Sequence, residues 1–300
     1  MNKQDRFQLL AEKKFLQARL DELPVAARLM RISTESRLRM VEKRLEDCPV
    51  DEHEPARVRL TFNGRPVIGS HGIFAEFGMK AVTSFSEAVT AIAASLNTPL
   101  AAMGPIPNRE QYQLLITSTV MGSFGFELEE YRAGQWLLGE DSPVAQALER
   151  TQNLLQGTVG TDDQLADSAS ETDPRAMEKV RTFLQTLSEA EAICTMQYRD
   201  RGFRFTDVGQ VRTSLARLSQ DNLHEAEQIL EGEFYGVLPK SRIFEFKVAG
   251  QDEVIRGKVG SIILDPDQLN QHLYNPTFIK VMVTRVGSGR PRYLLIEEPQ

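Results

Sequence analysis

The first 50 residues constrain this chain most, because they carry two amphipathic helical patterns separated by Pro24. In the first pattern, apolar residues recur three or four positions apart, as one face of a helix requires. The second pattern begins at Val25 and ends near Cys48. Two helices joined by a short break bury a seam against each other but leave part of their apolar surface uncovered. The sequence therefore predicts a coiled-coil-like helical hairpin over residues 1–49 that docks on a partner or on another copy.

The apolar positions of the two helices form the predicted oligomer interface. They are Leu16, Leu20, Leu29, Ile32, Leu38, Val41 and Leu45. Between them, basic residues alternate with acids such as Glu35 and Glu42 at spacings that allow ion pairs along a helix. This charge pattern favours a solvated face over a nucleic-acid contact on the hairpin.

Length and composition indicate two globular units besides the hairpin. The chain has 300 residues, of which 41% are hydrophobic and 26% charged, and a domain usually takes roughly 100 to 200 residues. A polar segment over residues 49–56 contains two prolines and indicates a linker. We predict a central α+β domain over residues 56–222, with a helical second half, and a small β-barrel over residues 223–300.

The central domain opens with a clean alternation of apolar and polar residues. Val58, Leu60 and Phe62 point one way, and Asn63-Gly64 predicts a tight turn into a second strand. The other predicted elements are a helix over 74–96, a strand covered on both faces over 112–120, its partner strand over 126–131, and helices over 143–155 and 174–197. An acidic stretch over residues 157–173 predicts a solvated connection or short helix.

The pattern of the last quarter of the chain predicts a small closed barrel. Short strand candidates cover residues 226–238, 242–248, 254–259, 277–286 and 292–296, with a helical turn or two over 265–273. This order resembles an SH3-like or Sm-like barrel, and the resemblance implies binding of peptides, nucleic acid or a neighbouring subunit. The predicted fold class is α+β, with an N-terminal helical hairpin, a central α+β domain and this barrel.

The residues show no catalytic or metal-binding pattern. The histidines lie in four separate segments, and the sequence has neither Cys-x-x-Cys nor His-Glu-x-x-His. We therefore expect no metal and no cofactor, and the absence of such patterns favours a non-enzymatic protein over an enzyme. Far-separated Cys48 and Cys194 imply no disulfide framework.

Two glycine-flanked turns supply candidates for an anion or small ligand. Gly69-Ser70-His71-Gly72 leads from a predicted strand to a long helix, whose free N–H groups and dipole favour an anion. The turn lacks the lysine of a P-loop. Ser123 lies in a second such turn, between Gly122 and Phe124. The competing interpretation is that these glycines serve backbone geometry, that Ser70 caps the helix, and that the phenylalanines of the second turn pack in the core.

Basic residues in the barrel are candidates for nucleic-acid binding. They are Arg256, Lys258, Lys280, Arg285, Arg290 and Arg292. With Phe278 or Tyr293 they predict a basic, aromatic groove for single-stranded nucleic acid. The net charge of −7 argues against a protein that mainly coats phosphate. The alternative is an ordinary solvated face.

The location and process are predicted only broadly. No window approaches the roughly 18 apolar residues of a membrane span, and the N-terminus has no apolar signal region. We expect a cytoplasmic protein with no membrane partner. Segments 62–67 and 122–128 are similar to segments of uncharacterised bacterial proteins, which implies a bacterial source. Accessory proteins of that kind often belong to multi-gene systems such as phage defence.

Three functions compete on this basis. The leading hypothesis is a non-enzymatic interaction or assembly subunit of a bacterial multi-protein system that forms homo-oligomers through the N-terminal helices. The second is a nucleic-acid-binding module that uses the barrel. The third is a nucleotide or small-molecule sensor in the central domain.

Overall fold

The computed structural model describes residues 3–24, 27–46, 55–96, 98–120, 124–131, 141–219, 221–251 and 253–299. Its contacts divide the chain into two compact units. The N-terminal hairpin forms the first unit, and the sheet, the remaining helices and the barrel belong to the second. The predicted boundary near residue 222 therefore falls inside the larger unit.

Two antiparallel helices form the first unit, as the apolar periodicity predicts. They are α1 (Lys3–Glu22) and α2 (Arg28–Glu46). Two ion pairs connect the antiparallel helices. Arg37 lies 2.7 Å from Glu12, and Lys13 lies 3.1 Å from Glu42. Exposed pairs of this kind contribute less than about 1 kcal/mol each, so they orient the helices more than they stabilise them.

The turn between the two helices is held by Arg31 of α2. Its guanidinium donates to the carbonyl oxygens of Leu20 at 3.2 Å and Leu23 at 2.9 Å. The last carbonyls of a helix have no intrahelical N–H partner. Arg31 therefore supplies hydrogen-bond donors to carbonyl groups at the C-terminal end of α1.

The second unit contains an α+β body and a barrel. Its body elements are β1 (Arg57–Gly64), β2 (Val67–Ile68), β3 (Gly72–Ile73), α3 (Ala75–Ser95), β4 (Leu114–Val120), β5 (Phe124–Glu130), α4 (Pro143–Val159), α5 (Asp162–Ala169), α6 (Pro174–Glu189), β6 (Ala192–Tyr198), β7 (Arg201–Arg204) and α7 (Val208–Arg217). Five strands form one sheet in the order β4-β5-β1-β6-β7. The strand neighbours in this sheet are antiparallel.

The alternation of β1 is confirmed, but the predicted hairpin at Asn63-Gly64 is wrong. Val58, Leu60 and Phe62 are fully buried in the core. The strand is the centre of the sheet, because β5 pairs along one edge and β6 along the other. Both edges of β1 are thus paired with strands that are distant in the sequence. The strand β2, which the hairpin prediction paired with β1, pairs with β3 instead.

Two further predictions on the body fail. The strand β4 lies at the edge of the sheet, and Ile116 is 51% exposed, so it is not covered on both faces. The helix predicted to reach residue 197 ends at Glu189, and Cys194 lies in strand β6. Alternate residues of β6, including Cys194 and Met196, are buried. This period of two is masked in the sequence by apolar residues at intervening positions.

Helices α5, α6 and α7 of the body begin with side-chain caps. Asp173 accepts hydrogen bonds from the backbone N–H groups of Arg175 and Ala176 at the start of α6. Asp207 caps α7 by accepting a hydrogen bond from Gln210 N at 2.9 Å. The acidic segment forms helix α5, which begins with a reciprocal capping box between Thr161 and Gln164.

The predicted barrel is confirmed as a closed five-stranded structure. Its strands are β8 (Leu223–Leu238), β9 (Ile243–Val248), β10 (Val254–Val259), β11 (Pro276–Val286) and β12 (Arg292–Leu295), in the order β10-β12-β11-β8-β9. A 3₁₀ helix over Pro266–His272 precedes β11. The Phe234 ring packs edge-on against Phe244 and Phe246, with centroids 6.0 and 5.1 Å apart. The chain is thus a mixed α+β protein with N-terminal helices and a C-terminal barrel.

Candidate assembly surface

The seam inside the hairpin is small. Leu9, Leu16 and Val41 are buried there, and Leu38 packs against them in a half-buried position. Other large apolar side chains on the two helices stay exposed. They are Leu10, Phe15, Leu29, Met30, Ile32 and Met40. The hairpin therefore presents more apolar side chains to solvent than it buries among its described residues.

The exposed apolar residues of α2 share one side of the helix. Leu29, Ile32 and Met40 are 85%, 62% and 56% exposed, and Ser36 between them is exposed as well. At about 100° per residue, these four positions fall within an arc of about 80°. Leu38 lies on the opposite side of the helix, toward α1. We call Leu29, Ile32, Ser36 and Met40 the α2 outer face.

The structure separates the predicted interface residues into two groups. Leu16, Leu38 and Val41 belong to the hairpin's own seam. Leu29 and Ile32 lie on the α2 outer face, whereas Leu20 is half-buried. The side chain of Leu45 lies outside the described residues. Met40 was missed by the pattern, although its spacing of eight from Ile32 places it on the same side.

The loop with Ser70 and His71 does not start the long helix. Both residues are exposed in the turn between β2 and β3. Helix α3 follows Phe74, whose side chain makes no capping hydrogen bond. The expected alignment of this turn with a helix N-terminus, and the Ser70 cap, are therefore absent. Ser123 lies outside the described residues.

Aromatic residues beside the second glycine turn pack inward. Phe126 is half-buried against the main core and contacts Phe124 edge-on, with centroids 6.0 Å apart. The neighbouring carboxylates face arginines on β1, since Glu127 pairs with Arg59 and Glu129 with Arg57, each at 2.8 Å. This arrangement is a strand face with cross-strand ion pairs, in which the arginines are exposed and Glu129 is buried. Among the described residues, no group of three or more His, Cys, Asp or Glu side chains could hold a metal.

Half of the barrel's candidate nucleic-acid residues are neutralised by carboxylates. Lys258 contacts Glu171, and Arg292 contacts Asp167 and, at 3.1 Å, Asp163. Lys280 lies 2.7 Å from Glu297 and 3.1 Å from Glu227. Arg256, Arg285 and Arg290 are exposed and have no ion pair within the part of the chain that the structure describes. The predicted set does not form one open basic groove.

The acidic segment supplies several of these counter-ions. Besides its contacts to the barrel, α5 binds Arg217 through Asp162 at 2.6 Å. The same guanidinium donates to the carbonyl oxygens of Thr158 at 2.6 Å and Gly160 at 2.7 Å. From the sequence, the acidic stretch is predicted to be a solvated connection or short helix, and the barrel bases are predicted separately, as a basic groove or a solvated face. Folding brings them together and leaves less basic surface for phosphate.

A half-buried carboxyl lies near this junction. Burial, and then the nearby charge of Asp173, raise the pKa of Glu225 to about 7. The ordinary value is 4.5, so the folded state holds this proton more tightly than the unfolded chain. Its stabilising effect is complete below about pH 4.5 and is lost as the pH rises through 7.

We expect Glu225→Gln to stabilise the protein selectively at high pH, because it removes the cost of ionising this carboxyl. Between pH 5 and pH 8, the unfolding free energy of the variant should gain about 2 kcal/mol relative to the parent. Urea unfolding at both pH values measures the difference. Glu231→Gln, on an exposed position of the same strand, is the control. Equal pH dependence of the Glu225 variant and the parent contradicts the prediction.

The Cys194 thiol is poorly suited to act as a nucleophile. Burial raises the pKa of the Cys194 thiol to about 12, which keeps it protonated and unreactive. Among the described residues, no helix is both long enough and apolar enough to cross a membrane.

Comparisons with known proteins identify no relative of this chain. No family model, no curated protein and no solved structure matches this chain.

Proposed function

We propose that this protein is a non-enzymatic assembly subunit of a bacterial, cytoplasmic multi-protein system, and that it oligomerises through its N-terminal hairpin. The observation that carries the proposal is the α2 outer face. Leu29, Ile32 and Met40 are exposed there, on a hairpin whose own seam buries few side chains. Exposed apolar side chains that share one helix face support an interaction site.

The size of the hairpin supports association. Its helices have 20 and 19 residues, a size at which folding without outside help usually needs a disulfide, a metal or oligomerisation. Covering three large apolar side chains on each of two copies contributes roughly 9–18 kcal/mol, at 1.5–3 kcal/mol each. Association costs roughly 4–15 kcal/mol in lost freedom. The outer face can therefore offset that cost.

The barrel and the broader process are part of the same proposal. The SH3-like or Sm-like class of the barrel stays a prediction: five closed strands with a short 3₁₀ helix before the fourth favour it, whereas the parallel pairing of β10 with β12 argues against it. A place in phage defence rests only on the resemblance of residues 62–67 and 122–128 to bacterial proteins.

Nucleic-acid binding by the barrel is the second candidate. Exposed Arg256, Arg285 and Arg290 favour it, whereas the carboxylates on Lys258 and Arg292 weaken it. A sensor built around Ser70 and His71 is the third candidate, and the exposed β2–β3 turn offers it little enclosure. Salt-dependent binding of an oligonucleotide, lost on charge reversal of Arg285 and Arg290, would favour the second.

Native mass spectrometry of the full-length protein, purified without nuclease, tests the proposal. We expect an integer multiple of the 33.8 kDa chain mass. A monomer at about 10 μM would overturn it, because an assembly with a net binding free energy of about 7 kcal/mol or more stays associated at that concentration. A monomer that carries nucleic acid or a small molecule would replace the assembly role with one of the other two.

A further inference from the structure

We propose that the first half of β8 is a docking edge for an extended, basic segment of a partner protein, which adds to the barrel as an antiparallel strand. This inference goes beyond the proposed function, because it uses the barrel rather than the hairpin. The hairpin and the barrel belong to different compact units. The two proposals can therefore fail independently.

The strand β8 is longer than the part of it that β9 covers. Along one edge, β11 pairs with β8 over residues 223–233, whereas on the other edge β9 pairs with residues 232–238. One more bond, from Ala249 N to Glu231 O at 2.8 Å, extends this second edge by one residue. Among the described residues, no strand pairs with β8 on that edge before Glu231. The barrel therefore carries an open strand edge beside its closed part.

The bonds already made determine which backbone groups point to the open edge. Ala249 bonds to Glu231 there, and in an antiparallel pair the backbone groups of alternate residues point to the same side. Glu227 and Ile229 therefore direct their N–H and C=O groups to this edge. Residues 226–229 are all exposed. We call the backbone of Glu227 and Ile229 the β8 open edge, and its four polar groups match those of an added strand.

The side chains of the β8 open edge specify the chemistry of the occupant. Glu227 and Ile229 are two positions apart, so they share one face of the strand. Ile229 is 71% exposed. Glu227 shares Lys280 with Glu297, at 3.1 and 2.7 Å, and one ammonium neutralises one of these two carboxylates. An antiparallel occupant should thus place an apolar residue opposite Ile229 and, two residues later, a lysine or arginine opposite Glu227.

The neighbouring charge favours a basic occupant as well. Glu231 lies on the same face of β8, is exposed, and has no ion pair within the part of the chain that the structure describes. Charged residues on an open edge deter strands that cannot match them. A basic strand is attracted instead, because a base opposite a carboxylate gains an ion pair.

A second copy of β8 does not complement this edge. In an antiparallel pair about a two-fold axis, facing residues lie at equal distances on either side of the axis. An axis at residue 226 sets Glu225 against Glu227, one at 227 sets Glu227 against itself, and one at 229 sets Glu227 against Glu231. An axis at residue 228 places Glu225 where Ala249 of the second copy bonds to its own Glu231. Each register opposes like charges or collides, so the occupant is a different segment.

Binding of a fluorescent peptide to the full-length protein tests the proposal. The probe is Thr-Val-Thr-Lys-Thr-Lys-Thr, blocked at both ends, in which the valine faces Ile229 and the first lysine faces Glu227. We expect saturable binding by anisotropy, about tenfold or more tighter than that of the same peptide with glutamates in place of its lysines. Absence of saturable binding, or equal affinity for the two peptides, would overturn the proposal.

Backbone methylation distinguishes strand addition from simple charge attraction. N-methylation of the probe's valine removes the N–H that donates to the Ile229 carbonyl oxygen, and should weaken binding about tenfold or more. The threonine between the valine and the first lysine is the matched control, because its N–H points away from β8. Methylation there should leave the affinity within about twofold. Equal affinities of the two methylated peptides would refute strand addition.

Charge reversal on the protein gives an independent test. Glu227→Lys should invert the preference, so that the glutamate peptide binds more tightly than the lysine peptide. Glu245→Lys makes the same charge change at an exposed position of β9 and should keep the parent's preference. An unchanged preference in Glu227→Lys would place the peptide elsewhere and overturn the proposal.

Native mass spectrometry of the same variants separates this inference from the proposed function. Oligomers that persist in Glu227→Lys, together with no peptide binding by the parent, would refute the docking edge and leave assembly through the hairpin standing. An oligomer of the parent that is lost in Glu227→Lys would show that a second copy occupies the β8 open edge, and would refute the basic partner.

Discussion

Replacing both Leu29 and Ile32 by aspartate should convert the assembled protein into a monomer of 33.8 kDa. Both side chains are exposed on α2 and turn away from the seam, so the hairpin can retain its helices. Each contact would then bury carboxylates in an otherwise apolar interface, which costs several kcal/mol per group. We expect association to weaken by at least roughly 1,000-fold. Native mass spectrometry and sedimentation at several concentrations measure this loss.

Met103→Asp is the matched control for this effect. Met103 is 88% exposed on the body and lies outside the hairpin, so its substitution adds one aspartate to an exposed position and should leave the number of chains in the assembly unchanged. Circular dichroism should show equal helix content in all three proteins. An oligomer that survives both hairpin substitutions would contradict the role of the α2 outer face.

Gly125→Ala should be the most damaging single-methyl change among the strands of the central sheet. Gly125 lies opposite Thr61, where β5 pairs with β1. A Cβ at this position would lie 2.0 Å from the carbonyl oxygen of Leu60 and 2.6 Å from the Thr61 Cα. These are backbone atoms of the central strand, so they cannot move aside without breaking the pairing. We expect a loss of about 3 kcal/mol and a fall in the melting temperature of roughly 5–10 °C.

Gly202→Ala separates this clash from the general effect of removing a glycine. Gly202 lies on the edge strand β7, and a Cβ there meets no atom within 4 Å. Alanine at that position reduces the freedom of the unfolded chain and should leave the melting temperature unchanged or slightly higher. Calorimetry of the two variants beside the parent gives the comparison. Equal melting temperatures for Gly125→Ala and the parent would mean that β1 and β5 are not paired in this register.

Local patterns in the sequence determined several elements of the structure. The apolar periodicity gave both helices of the hairpin, the alternation of Val58, Leu60 and Phe62 gave the buried face of β1, and the turn spacing gave the five strands of the barrel. Each of these depends on residues within a few positions of one another, and such contacts are encoded locally.

Strand pairing was decided only by the tertiary structure. Thr61 of β1 faces Gly125 on one side and Thr195 on the other. These partners are far away in the sequence, so the local Asn63-Gly64 signal could not compete with burial of the whole central strand. The same burial makes Cys194 part of a strand, although its neighbourhood also fits a helix. Long-range packing overrides local propensity in such segments.

The candidate site divides in the same way. The sequence determined that the hairpin has more apolar surface than two helices can bury against each other. Only the tertiary structure decided that Val41 belongs to the seam and that Leu29 and Ile32 face solvent. It also decided that Arg292 faces acids of α5 rather than open solvent. A sequence pattern specifies which side of an element is apolar or charged, whereas the group that meets that side is chosen by three-dimensional packing.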